Sequence, residues 1–177
     1  MEPAKVKIGL INPKSPMNVA SVMRAAGNFR VDSVYYTGQR YTRALQRNPD
    51  TPNMARKVSE NVPLTEVTSL LDAVSGEMKI VCVELAENAI ALPDYQHPEQ
   101  AFYNFGPEDN TISQPLIDRA DAVVYVPTIG CMNLSAVVNI VLYDRMIKTM
   151  NTSPKSFDGN ELIRHSRDTN NRVKVKS

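Results

Sequence analysis

The sequence predicts an α/β domain with a mostly parallel sheet flanked by helices. Short runs rich in Val, Ile, Tyr and Phe alternate along the chain with segments of helical periodicity, the pattern that sets parallel strands between crossover helices. A chain of 177 residues, 42% hydrophobic and 22% charged, fits one globular core. No apolar run approaches the roughly 18 residues that a membrane span needs, and Met1-Glu-Pro-Ala-Lys5 lacks the basic-then-apolar pattern of a signal peptide. A cytoplasmic protein is the expectation.

Taken in order, Val6-Lys-Ile-Gly-Leu-Ile11 reads as a buried strand, and Ser15-Pro16 supplies an N-cap and a first helical residue for a helix to about Phe29. Ser33-Val-Tyr-Tyr36 is a second strand. A polar stretch from Gly38 to about Asn61, with Pro49 and Pro52, follows. A helix is expected near Leu64–Val74, a strand at Lys79–Glu84 and another at Ala101–Phe105. A helix near Gln114–Arg119, a strand at Ala122–Val126 and a long helix from Leu134 to Thr149 complete a domain of residues 1–150. Residues 151–177, poor in apolar side chains and rich in Lys and Arg, read as a basic tail with a peripheral helix around Glu161–Arg167.

The net charge of +1 conceals a segregation: residues 1–60 carry 10 Lys/Arg against 4 Asp/Glu, residues 61–143 carry 2 against 11, and residues 144–177 carry 8 against 4. If the basic ends share a face, they form a patch able to neutralise phosphates. Cys82 lies in an apolar run as a small buried hydrophobe, and a disulfide with the distant Cys131 is not expected. His97 and His165 stand in polar surroundings without metal-ligand spacing, so both read as solvated surface residues and no metal is expected. None of the seven glycines forms Gly-x-Gly-x-x-Gly, which argues against a dinucleotide-binding domain.

Three segments carry the functional signal: Asn12-Pro-Lys-Ser-Pro-Met-Asn-Val-Ala-Ser-Val-Met-Arg24, Phe105-Gly-Pro-Glu-Asp109 and Cys131-Met-Asn-Leu-Ser135. On the first helix Val19, Val22, Met23, Ala26 and Phe29 gather on one side, while Asn18, Ser21, Arg24 and Asn28 fall on the other. Read alone, this is an amphipathic helix with a wet face, Gly106-Pro107 is a turn ending a strand, and Asn133 is a helix N-cap.

Together the three segments resemble the SpoU/TrmH family of SPOUT-class RNA methyltransferases, over roughly residues 6–150. The resemblance implies a SPOUT α/β fold with a C-terminal trefoil knot, a homodimer packed through the helix after the knot, and S-adenosylmethionine as methyl donor to a ribose 2'-hydroxyl of RNA. It implies Asn18, Arg24, Glu108 and Asn133 as the catalytic set. Glu108 would hold the neighbouring loop by hydrogen bonds, and Asn133 would cap its helix and contact the cofactor or Arg24. Leu85, Gly106, Val126, Thr128, Ile129, Cys131 and Met132 would line the cofactor pocket. A guanidinium is a poor base, so Arg24 is better suited to clamp phosphate and stabilise a developing alkoxide. Arg40, Arg43, Arg47, Arg56 and Lys57, with tyrosines near them, are the expected RNA contacts.

The compact form resembles the minimal tRNA-modifying members, so tRNA is favoured, with ribosomal RNA as an alternative. Three departures from the family pattern support a second alternative, a non-catalytic RNA-binding protein of the same fold: Cys131 replaces a serine, Thr111 replaces a glycine, and the loop from Pro127 to Cys131 is shortened.

Overall fold

The computed structural model describes residues 5–49, 59–152 and 159–176. Strand β1 (Val6–Leu10) leads into helix α1 (Pro16–Asn28), which starts where Ser15 Oγ accepts from Asn18 N and Pro16 pre-sets the first turn. Then come β2 (Ser33–Tyr36), α2 (Arg40–Arg47), β3 (Leu64–Glu66), β4 (Lys79–Val83), β5 (Ile90–Ala91), β6 (Ala101–Phe105), α3 (Gln114–Ile117), β7 (Ala122–Tyr125), α4 (Leu134–Thr152) and α5 (Gly159–Ser166). The seven strands form one sheet in the order β3-β2-β1-β6-β4-β7-β5, and every pairing is parallel. The expected mostly parallel α/β sheet is therefore what the chain builds.

Both faces of the sheet are covered, as a parallel sheet requires. On one face Ile8, Leu10, Tyr103 and Phe105 pack with Val19, Val22 and Ala26 of α1 and Val138, Val141 and Leu142 of α4. On the other, Phe102 packs with Leu70, Ala73 and Met78. Cys82 is buried among these strands, and burial, helped by the Glu84 charge, pushes its thiol up to about 12.

Several elements differ from the sequence reading. The polar stretch after Gly38 contains α2, an eight-residue helix with no buried residue. Its Arg, Ala, Leu and Gln are good helix formers, and Tyr41, Ala44 and Leu45 recur at helical spacing with Tyr41 packed against the core, but a stripe of one turn among arginines is too short to stand out in a polar stretch. The helix expected near Leu64–Val74 is instead β3 followed by a 3-10 turn at Leu70–Ala73. Leu64–Glu66 pairs along β2, and Ser69 with Asp72 forms a capping box that starts the turn anew. β5 was not anticipated; it adds to the edge at β7.

His97 reverses its expected exposure. Its side chain is 1% exposed and lies between Tyr103 on β6 and Asp144 on α4. Arg145, also buried, donates to Tyr103 Oη and to the carbonyls of Pro98 and Glu99. Because arginine can only donate, Tyr103 Oη accepts from it and gives its own proton to His97 Nδ1; Nε2–H of a neutral imidazole then donates to Asp144. Burial pushes the His97 pKa down, and Arg145 and Lys148 add to this, outweighing Asp144. His165, by contrast, is exposed as expected. Among the described residues no helix is long and apolar enough to cross a membrane, and no cluster of His, Cys, Asp or Glu is placed to hold a metal.

Candidate functional site

Parallel strands present their carboxyl ends together, and ligands of open α/β sheets bind there. In this protein β6, β4 and β7 are adjacent, and the residues that follow them, Gly106, Glu84 with Leu85, and Val126, line a cleft of about 720 Å³ including its open mouth. Thr128, Cys131 and Met132 from the loop before α4 close one side, while Pro107, Glu108 and Asn110 form another. Of the seven residues expected at the cofactor, six line this cleft.

Ile129 is the exception and is fully exposed outside it. Thr128 Oγ1 donates to Gly130 O at 2.9 Å, a tight turn that leaves Ile129 at its tip. Glu84 also lines the cleft and was not singled out by the sequence reading. Its carboxylate accepts from Leu85 N at 2.9 Å and from Ile112 N at 2.8 Å, bracing two walls. The signal was present: a lone acid closing an apolar strand run, at the end of the sheet where sites form. Gly106 sits against this brace, and a Cβ there would come within 3.3 Å of both Glu84 Oε2 and Ile112 Cγ1.

The three motif segments meet beside the cleft. Glu108 accepts from Lys14 N at 2.9 Å, Ser15 N at 3.0 Å and Asn18 Nδ2 at 3.2 Å, so one carboxylate holds the first turn of α1. This is the loop-holding role expected of it, at the end of a helix that favours an anion. Burial pushes its carboxyl up, but the hydrogen bonds from Ser15, Lys14 and Asn18 outweigh this and hold it below the usual glutamate value. Asn18 Oδ1 in turn accepts from Asn133 Nδ2 at 3.0 Å. Asn133 caps α4, its Oδ1 accepting from Ser135 N and Ser135 Oγ. Thus Asn133 does cap its helix, and its amide meets Asn18 rather than Arg24.

Arg24, half-buried on α1, makes no hydrogen bond or ion pair among the described residues. A fork of N–H donors on the helix that carries Asn18 is therefore open to an outside partner. On α2, Arg47 and Arg43 are exposed, and Arg43 Nη2 donates to Gln39 Oε1 just before the helix. Arg40 is placed otherwise. Its Nε and Nη2 donate to Asn12 O, and its Nη1 donates to both carboxylate oxygens of Asp109. Arg56 and Lys57 lie outside the described residues.

Comparison with solved structures agrees with this geometry. AviRb, a SpoU methyltransferase from Streptomyces viridochromogenes in complex with AdoMet, is similar with TM-score 0.66 at 16% identity, over 85% of this chain and 60% of its own. The protein thus spans only 60% of AviRb's length. The A. aeolicus TrmH/SpoU tRNA modifying enzyme gives TM-score 0.64 at 16% identity over 92% of this chain and 87% of that one. A structure bearing on 2-OH methylation of C/U34 on tRNA gives 0.70 at 18% identity, over 84% and 99%. At such identities the likeness defines the fold, that of the SPOUT methyltransferases. The model of the SpoU rRNA Methylase family matches residues 5–143, and the chain belongs to that family. No curated protein matches it.

Proposed function

We propose that the protein transfers a methyl group from S-adenosylmethionine to a ribose 2'-hydroxyl of RNA in the cytoplasm, with tRNA as the favoured substrate. The observation that carries the reading is the hydrogen-bonded line Glu108–Asn18–Asn133, which joins all three motif segments beside the cleft and leaves Arg24, on the same helix, without a partner among the described residues. The cleft suits the cofactor: Val83, Val126, Leu134 and Val137 offer apolar surface to a base, while Glu84 and Glu108 bring negative charge toward a cationic ligand. When bound, that group supplies an electrophilic methyl. Cys131 in place of serine still lines the cleft, so the departure leaves the wall intact.

The chain's own part is positioning. Glu108 fixes α1, Asn18 is held between Glu108 and Asn133, and Arg24 grips phosphate and steadies negative charge on the 2'-oxygen, whose proton passes to solvent water. Arg43 and Arg47 neutralise phosphates nearby. Preference for tRNA is supported by the likeness to two tRNA-related structures, the A. aeolicus TrmH/SpoU tRNA modifying enzyme and the structure bearing on C/U34 of tRNA. We also place the protein in a homodimer. Ile140, Tyr143 and Ile147 of α4 form an apolar groove with Leu92, Pro93, Val126 and Pro127, and Tyr143 is 56% exposed in the single chain. A second copy would bury that surface.

Mass spectrometry of tRNA and rRNA nucleosides from cells with and without the gene tests the activity. Loss of one 2'-O-methylnucleoside from tRNA, restored by purified protein and S-adenosylmethionine, is expected. An unchanged nucleoside profile in both RNA classes overturns the reading. Light scattering at tens of micromolar should report a dimer; a monomer refutes the assembly.

A further inference from the structure

We propose that Arg40 is a positioning residue that latches the start of α2 to the two loops on which the site is built, an inference that rests on the methyl-transfer reading above. Its guanidinium serves two segments at once. Nε and Nη2 reach Asn12 O at 3.1 and 2.7 Å, and Nη1 reaches both Asp109 oxygens at 2.9 Å. Asn12 opens the loop that runs into α1, and Asp109 follows Glu108 in the loop that lines the cleft. A lysine could not replace the fork, since a single ammonium cannot grip two acceptors set in different directions.

The corner around this latch is closely fitted. Asn12 takes a left-handed φ of 42°, its N–H donates to Thr37 Oγ1, and its side chain lies against Gly38, itself at φ 75°. A Cβ on Gly38 would stand 2.2 Å from Asn12 Oδ1, so only glycine lets α2 begin this close. The arginine is therefore aimed inward by the backbone on both sides. Its side chain is 32% exposed and that of Asp109 48%, so the ion pair adds little to global stability. What it controls is where the Glu108 loop and the Asn12 loop sit relative to each other and to α2. Because Arg43 and Arg47 extend from the same helix, RNA held there bears on the catalytic loops through Arg40.

The alternative is that Arg40 leaves Asp109 to contact a phosphate, and the two roles give opposite results in Asp109→Asn. If Arg40 binds RNA, removing the neighbouring carboxylate tightens RNA binding, and Arg40→Ala lowers the salt slope by about one phosphate's share. If Arg40 is a latch, Arg40→Lys and Asp109→Asn behave alike. Each should slow single-turnover methyl transfer at saturating tRNA and cofactor roughly three- to tenfold, and the double variant should be no slower than the worse single, as coupled groups require. Binding to bulk tRNA should keep the parent's salt slope in both, and melting temperatures should stay near the parent's.

Amide hydrogen exchange supplies a readout that needs no activity. The Lys14 and Ser15 amides, which donate to Glu108, should exchange faster in both single variants. Parent-like exchange at these amides, or tighter tRNA binding by Asp109→Asn with additive rate losses, overturns the latch. If the parent transfers no methyl to RNA, the functional reading fails, while the exchange comparison still decides the role of Arg40.

Discussion

Replacing Glu108 by glutamine tests how much of the site hangs on one carboxylate. The side chain keeps its volume but loses its charge, and one of its two acceptors becomes an NH2 group facing N–H donors. In the parent, Oε1 accepts from Ser15 N and Asn18 Nδ2, and Oε2 accepts from Lys14 N. Loss of an anion at a helix start costs about 0.3–1 kcal/mol, and loss of a cap-like acceptor costs about 0.5–2 kcal/mol. Since the group is exposed, solvent takes over part of the work, and about 1–2 kcal/mol is expected. In a chain of this size each kcal/mol moves the melting temperature by about 2–4 °C. The pH dependence gives the sign. Glu108 titrates below its ordinary 4.5 in the folded protein, so its contribution is present above that pH and lost as pH falls through the lowered folded value. Scanning calorimetry of parent and variant should therefore show a gap that is widest above pH 4.5 and closes in acid. Equal melting temperatures at neutral pH, or a gap that persists unchanged into acid, would refute the assignment of Glu108 as the anchor of α1.

Arg24→Ala should lower single-turnover methyl transfer by roughly two orders of magnitude, the scale of a lost preorganised donor, with S-adenosylhomocysteine affinity by calorimetry nearly unchanged; a parent-like rate removes Arg24 from the chemistry. The double variant Arg43→Ala/Arg47→Ala should weaken tRNA binding and reduce its salt slope by about two phosphates' share while saturated rates hold; an unchanged slope places the RNA elsewhere. For His97, whose pKa in the folded protein lies below its ordinary 6.5, the unfolded chain takes up the proton first, so stability is full above that value and declines as pH falls below it. Unfolding free energies from urea titrations should fall between pH 7.5 and 5.5 in the parent, by at most about 1.4 kcal/mol per pH unit, and should fall less in His97→Gln; parallel curves count against a buried neutral imidazole.

The elements that were legible share a cause. β1, β2, β4, β6, β7, α1 and α4 each carry an apolar run or stripe that the core then uses. α2 carries only the one-turn stripe of Tyr41, Ala44 and Leu45 among polar residues, and Leu64–Val74 reads as a helix until β2 offers Leu64–Glu66 a parallel partner. In the site, Asn18, Glu108 and Asn133 stood out only as a set, through their likeness to a family. Taken singly, a wet helix face, a turn acid and an N-cap are ordinary features. Arg40 joined the RNA candidates because a run of arginines looks alike along the chain, whereas its inward aim depends on Asn12 and Asp109, 28 and 69 residues away.

His97 and Arg145 were illegible for a related reason, and their burial bears on the site. The neighbours Gln96, Pro98 and Glu99 read as surface, and nothing in the sequence marks Arg145 as a partner for them; each is buried by the other's element, 46 to 47 residues distant. Ion pairs taken from water rarely add stability over apolar packing of equal volume. Their hydrogen bonds do have direction. Val138, Val141 and Leu142 would tolerate a helix that slides or rolls slightly, but Arg145 and Asp144 reach fixed acceptors and donors at Pro98, Glu99, Tyr103 and His97. These bonds set the roll and axial position of α4 from its middle, and the same helix begins at Asn133, whose amide holds Asn18. Tyr103 stands on β6 three residues before Gly106, where the Glu108 loop begins. One strand thus carries both the anchor of α4 and the loop that anchors α1, so the meeting of Asn18 with Asn133 is fixed from both sides by β6.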